Sequence, residues 1–368
     1  MRTSVAASCR PGTPGGRSTA RRLVALAAVA SVTLLTACGG ATGDEPAAGT
    51  SASTTADDGL PFVYGVFATP LEEPWDGAIH AALESAADDG TITYEHVDSV
   101  ETADAMSRTL RDIAENQQPD IIIGDAFAAE DAVREVAAEY PDIAFVFGSG
   151  GEEVAPNLSV FDNWMQDPAY LAGMLAGGLT TTGTVGVVGA MPIPEVNRIV
   201  NGFIEGVAET NPTATVKVSF INSFFDPATA KQAAQAQIAA GADVLFAERD
   251  GVIAAAAENG LPVVGMMVDQ QDQAPDFVVT SLLWDMRPTV DHVVQQVLDG
   301  TYEAANLGEF SFMVNGGSSI APVNTAITAG VPDDLLAAVQ AKQEEIEAGT
   351  FAVTVNEDAP AGSIDVTQ

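Results

Sequence analysis

From residue 60 onward, short apolar runs alternate with amphipathic stretches of helical length. Residues 62–67 (FVYGVF) read as a strand, 75–87 as a helix, 91–97 as a strand and 103–116 as a helix with one polar face. Residues 120–124 are almost wholly apolar, as in a strand buried on both sides of a parallel sheet. A helix at 128–139 and strands at 144–147 and 158–161 complete a first series. The same grammar restarts with a helix at 168–179, a strand at 184–188, a helix at 195–210 and a strand at 216–221. A helix at 228–239 and strands at 244–247, 263–265 and 277–280 close the second series. Repeated β–α alternation predicts parallel sheets flanked by helices and joined by right-handed crossovers. Two such series predict an α/β chain of two lobes. The expected lobes are 60–162 with 284–310, and 163–283 with 311–330; a C-terminal helix and tail occupy 331–368. Crossing segments near 161–166 and 280–286 would form a hinge.

Before residue 60 the pattern is different. Residues 23–35 are an uninterrupted run of small or apolar side chains, preceded by five arginines, and the first acid is Asp44. Such a run spans ~20 Å as a helix, short of the ~30 Å hydrocarbon core, so it reads as a secretory signal rather than a membrane span. It ends Leu35-Thr36-Ala37-Cys38-Gly39, which resembles the bacterial lipobox. That resemblance implies removal of residues 1–37, lipidation of Cys38, and attachment to the extracytoplasmic face of the cell membrane. The alternative is a plain signal peptide with an incidental cysteine. Residues 38–59 carry no large apolar side chain and read as a flexible tether.

The chain of 368 residues holds 51 acidic and 14 basic side chains, a formal charge of -37. Five of the basic residues precede residue 23, so nine face all the acids in the remainder. No basic face is available for phosphates, which excludes nucleic acid as a partner. So acidic a surface reads either as adaptation to a salty habitat, in which case stability should rise with salt as like charges are screened, or as a mild bias of an exported protein. Cys9 and Cys38 are the only cysteines, and both precede the body. Structural zinc, iron–sulfur clusters and a cysteine nucleophile are therefore excluded from it. The histidines, His80, His96 and His292, belong to no recognisable motif. The sequence lacks G-x-S-x-G, H-E-x-x-H, P-loop and G-x-G-x-x-G signatures. The expectation is therefore no enzyme, no cofactor and no metal site.

In open α/β sheets, ligands bind outside the carboxyl ends of the strands. The loops expected there hold Trp75, Phe127, Trp164, Phe224, Phe225 and Trp284, aromatic faces on which a flat ligand could stack. Asp125, Asp250 and Asp269 lie at strand exits as acceptors for ring N–H or amine groups, and Asn163 can both donate and accept. Glu195 and Arg198 follow a proline turn at a helix start, either as ligand contacts or as helix-terminal charge and a local ion pair. The run Phe147-Gly148-Ser149-Gly150-Gly151 is either an anion-binding loop or a plain turn.

Pro192-Ile193-Pro194-Glu195-Val196-Asn197-Arg198, followed by Asn201-Gly202-Phe203, resembles the basic membrane protein family of bacterial solute-binding lipoproteins. Tyr170 to Gly177, Asn222 to Pro227, Gly241 to Val244, Thr280 to Trp284 and Val297 to Thr301 extend the resemblance over about residues 62–325. It implies a two-lobe, periplasmic-binding-protein-like α/β fold of type I. It also implies a purine base or nucleoside as ligand, and an ABC permease and ATPase as partners. A receptor that reports occupancy to a membrane sensor is the alternative, and an enzyme acting on nucleosides a more distant one. Two positions depart from the nucleoside-binding pattern. Met267 stands where those relatives hold the ribose diol with an aspartate, and Trp284 where they carry a lysine. A thioether cannot accept the hydroxyl protons, so a free purine base is expected to be preferred over its nucleoside.

Overall fold

The computed structural model describes residues 59–127 and 129–367. The expected signal segment, the lipidation site Cys38 and nearly all of the tether lie outside the described residues. Among those residues, no helix is long and apolar enough to cross a membrane.

The first series consists of β1 (Phe62–Val66), α1 (Pro74–Asp88), β2 (Thr93–Val97), α2 (Ala103–Asn116), β3 (Ile121–Asp125), α3 (Glu130–Glu139), β4 (Ala144–Gly148) and β5 (Leu158–Phe161). Its strands form one parallel sheet in the order β2-β1-β3-β4-β5. The central β3 is buried along its whole length, as its Ile121-Ile122-Ile123 run requires. At Gly124 a Cβ would come within 1.8 Å of the Val66 carbonyl oxygen, so only glycine allows β1 this close.

The second series runs α4 (Gln166–Leu179), β6 (Thr184–Gly189), α5 (Pro194–Thr210), β7 (Thr215–Phe220), α6 (Pro227–Ala239), β8 (Val244–Ala247), α7 (Val252–Asn259), β9 (Val263–Gly265) and β10 (Val278–Trp284). It is followed by α8 (Arg287–Leu298), β11 (Ser318–Ile320), α9 (Asp333–Glu347) and β12 (Ile364–Asp365). The second sheet has the order β11-β10-β9-β8-β6-β7-β12. Only β11 is antiparallel to its neighbour. The fold is thus α/β with two parallel-type sheets flanked by helices, as the alternation predicts.

Two details of the second series differ from the pattern. β10 runs on to Trp284 instead of ending near 280, because β11 pairs with residues 282–284. α7 is an alanine-rich helix with no amphipathic signal to mark it, and its ends are set by Gly251 and Gly260 in the left-handed region.

The chain crosses between the sheets at 162–165, between β5 and α4, and again just after β10, where α8 packs back on α1. Asn306 adds a parallel bridge to Val160 before the chain returns to β11. Helices α4 and α5 pack backbone against backbone: a Cβ at Gly173 would lie 2.1 Å from the Phe203 oxygen, and one at Gly206 1.9 Å from the Tyr170 oxygen. Gly206→Ala is therefore expected to force the helices apart and cost about 3 kcal/mol, the upper end for overpacking. Equilibrium urea unfolding measures this, and a loss below about 1 kcal/mol would mean the helices can part freely.

Each sheet starts in its middle. β1 lies between β2 and β3, and β6 between β7 and β8, so each sheet has a topological switch point. A crevice forms where successive connections leave to opposite faces.

Candidate functional site

A cleft of about 360 Å³ lies away from these switch points, on α9, and is open to solvent on one side. A second, of about 330 Å³, lies at the carboxyl ends of both sheets. Thr69, Glu73 and Trp75 reach it from the loop after β1 and the start of α1; Asp125 ends β3 and Phe127 follows it, and Ser149 and Gly150 follow β4. Asp162 enters from the crossover. Ile193, Pro194 and Glu195 come from the β6–α5 turn, Phe224 from the loop after β7 and Arg249 from the loop after β8.

One wall is aromatic. Trp75 is stacked on Phe161, with centroids 5.8 Å apart and planes 11° apart, and Trp284 supports it from behind at 5.0 Å. Trp75 fits because residue 148 is glycine; a Cβ there would meet its ring at 2.1 Å. Phe127 and Phe224 meet edge to face at 5.1 Å, joining loops that follow strands of different sheets. Strain gathers here too. Of the non-glycine residues with positive φ, Ser149 (56°), Asn222 (53°) and Met267 (68°) follow strand ends around the cleft.

The charged groups are mostly desolvated. Arg249, 7% exposed, donates through Nε and Nη2 to Glu248, at 3.0 and 2.6 Å, and through Nη1 to the Phe224 carbonyl. Its Nη1 is 3.8 Å from Oε1 of Glu73, which caps α1 by accepting from the Trp75 and Asp76 amides. Burial alone would lower the Arg249 pKa, but the Glu248 charge and hydrogen bonds raise it. Burial raises the Glu73 pKa, with Arg249 opposing. Beneath it, burial lifts Asp76 to about 7 against hydrogen bonds from Thr69, and its Oδ1 has no hydrogen-bond partner. Asp125 is pushed well above the usual carboxylate range by burial and then by Asp76. Glu195 is raised to about 7 by burial and then by Asp162. It accepts from Asn163 Nδ2 at 2.8 Å. Arg198, 2% exposed, pairs with Asp162 at 2.6 Å and Glu357 at 3.1 Å.

These raised carboxyl groups set a pH dependence. Asp76 and Glu195 at about 7, with Asp167 at about 6, bind protons more readily folded than unfolded. Their contribution to stability is complete below their unfolded values near 4 and is lost as pH rises through about 6–7. Carboxylates with lowered values, such as Asp243, act below that window. Unfolding titrations in the unliganded protein should give lower stability at about pH 8 than at about pH 5, and Asp76→Asn should shrink the difference. Stability that climbs across this range would contradict the assignment.

Of the residues expected from the sequence, Trp75, Asp125, Phe127, Glu195 and Phe224 meet on the cleft wall. Asn163 is fully buried, between Glu195 and the Met267 sulfur at 3.8 Å. Met267 and Asp250 line a small recess that shares Phe224 and Arg249 with the cleft. Three expectations need correction, because the structure does not place Trp164, Asp269 or Trp284 on the wall. The Arg198 guanidinium covers the Trp164 ring at 4.2 Å, and Phe312 meets it edge-on. Asp269 is exposed and accepts from the Gln271 amide. Trp284 is 5% exposed, donates to Ser311 and spends its face on Trp75 and Phe161. Phe225 is 61% exposed, beside the inward-facing Phe224. Glu73, Asp162 and Arg249 were not anticipated as wall residues. The signal for Arg249 was a rare base in an acidic chain, directly after a strand. Among the described residues, no group of three or more His, Cys, Asp or Glu could hold a metal ion.

Residues 68–311 match the family model described as Bmp, ABC transporter substrate-binding protein PnrA-like. A purine-binding protein of Brucella abortus is 29% identical over 277 residues, 74% of this chain and 76% of that protein. A Haloferax volcanii protein, whose name offers an ABC transporter glucose-binding role, is 34% identical over 187 residues, 50% of this chain; the match spans only 48% of that relative's length. An ABC transporter solute-binding protein of Conexibacter woesei has the same fold, with a TM-score of 0.66 at 24% identity over 81% of this chain and all of that one.

Proposed function

Since this chain belongs to the PnrA-like family of ABC transporter substrate-binding proteins, we propose that it captures a purine base between its two lobes for an ABC permease and ATPase. In this reading the lobes follow the division expected from the sequence, and a lipid on Cys38 holds the protein on the extracytoplasmic face of the membrane. The observation that supports the ligand assignment is a single cleft lined both by Trp75, at the start of α1, and by Phe224, from the loop after β7 of the other sheet, together with Glu73, Asp125 and Arg249. Aromatic faces suit a flat ring, and the polar groups suit its edge. The thioether of Met267 in the neighbouring recess favours a base over a nucleoside, because it offers ribose hydroxyls no charged acceptor.

A sugar is the second reading, supported by the name of the Haloferax relative. Titration calorimetry with adenine, hypoxanthine, their nucleosides and glucose separates the two. Binding of a purine base with no detectable glucose binding is the expected result; the reverse would replace the proposal. Saturating base should also reduce the radius of gyration in small-angle scattering as the lobes close, and an unchanged radius would count against a closing receptor. Anchoring has its own test. Cells fed radioactive palmitate should label the protein, and Cys38→Ser should abolish the label; persistent label would refute attachment there.

A further inference from the structure

Arg249 and Glu73 form an uncommon pair. They approach the cleft from different sheets, are 7% and 6% exposed, and stop 3.8 Å apart, too far for a hydrogen bond. Each is held from behind. Glu248 and the Phe224 carbonyl take three of the five guanidinium N–H groups. Two N–H groups have no hydrogen-bond partner among the described residues. The Glu73 carboxylate spends Oε2 on the Trp75 and Asp76 amides and turns Oε1 toward Arg249. Arg249 thus brings these two N–H donors, and Glu73 an acceptor 3.8 Å from Nη1, to the cleft that Trp75 also lines.

We propose that Arg249 and Glu73 together read the N7–O6–N1 edge of a 6-oxopurine, making the site selective for hypoxanthine or guanine over adenine. This rests on the purine reading above. An oxopurine presents acceptors at N7 and O6 and a donor at N1–H, which matches donor, donor, acceptor. Adenine presents acceptor, donor, acceptor on the same edge, so its amine would face a guanidinium that can only donate. Arginine paired with N7 and O6 discriminates between bases by about tenfold to a hundredfold. The fork is set in place by Glu248, so little side-chain freedom is lost when the base arrives.

Calorimetry on the purified protein tests this with four probes: hypoxanthine, guanine, adenine and 7-deazahypoxanthine. Hypoxanthine and guanine should bind about tenfold to a hundredfold tighter than adenine. The deaza analogue, lacking the N7 acceptor, should fall by about tenfold or more. Arg249→Lys keeps the charge opposite Glu248 but removes the fork, and should bring hypoxanthine close to adenine. Adenine binding as tightly as hypoxanthine would overturn this assignment and leave the purine reading intact. Failure of every purine to bind would overturn both. If Arg249→Lys does not fold, the comparison of hypoxanthine with its deaza analogue on the unmodified protein still decides, and equal affinities would refute the N7 contact.

Discussion

Replacing Glu248 by alanine is expected to lower folding stability by about 3–5 kcal/mol, the range seen when one partner of a buried ion pair is removed. Glu248 is 1% exposed. It accepts from Nε and Nη2 of Arg249 and from the Ala190 amide at 2.8 Å. Without it a buried guanidinium keeps only the Phe224 carbonyl and, at 3.8 Å, the Glu73 carboxylate, and the Ala190 amide loses its acceptor. Desolvation of an unpaired charge, not loss of attraction, is the larger part of this cost. Replacing both residues, as in Glu248→Leu with Arg249→Met, should recover much of the stability, because no charge is then left buried. Urea unfolding of the single and double variants measures both effects. A single variant within about 1 kcal/mol of the parent would mean that water reaches the pair.

Trp75→Ala is expected to weaken binding of a purine base by about tenfold to a hundredfold, since base–aromatic stacking contributes ~1–3 kcal/mol. Trp284→Ala acts differently. That side chain lies behind Trp75, so its loss should cost about 3–5 kcal/mol of stability as a cavity in the core and weaken binding less than Trp75→Ala does. The two readouts, calorimetry for affinity and denaturant unfolding for stability, separate a ligand platform from its support. A larger affinity loss for Trp284→Ala than for Trp75→Ala would reverse these roles.

How much of this was legible in the sequence differs between the fold and the site. The α/β alternation was plain because each central parallel strand must be apolar on both faces and each flanking helix on one, so β3 and α2 announce themselves locally. α7 and β12 did not, since a short alanine run and a two-residue edge strand carry no periodicity. The absence of a nucleophile motif and of body cysteines was equally local. So was the placing of Trp75, Asp125, Glu195 and Phe224 at strand exits, where ligands meet open sheets.

Which exit residues turn inward was decided only by tertiary packing. Phe224 and Phe225 are adjacent and chemically alike, yet one lines the cleft and the other is exposed. Trp75 and Trp284 both follow or end strands, but stacking on Phe161 leaves room for one indole at the wall and puts the other behind it. Trp164 lost its place to the Arg198 guanidinium above it. Arg249 and Glu73 are separated by 176 residues in the chain, and their juxtaposition exists only once both sheets bring their carboxyl ends together. The periodic pattern reports which face of an element meets the core, because burial acts on every residue of that face. It is silent on contacts between loops of different sheets, because those depend on how two separately formed sheets are docked.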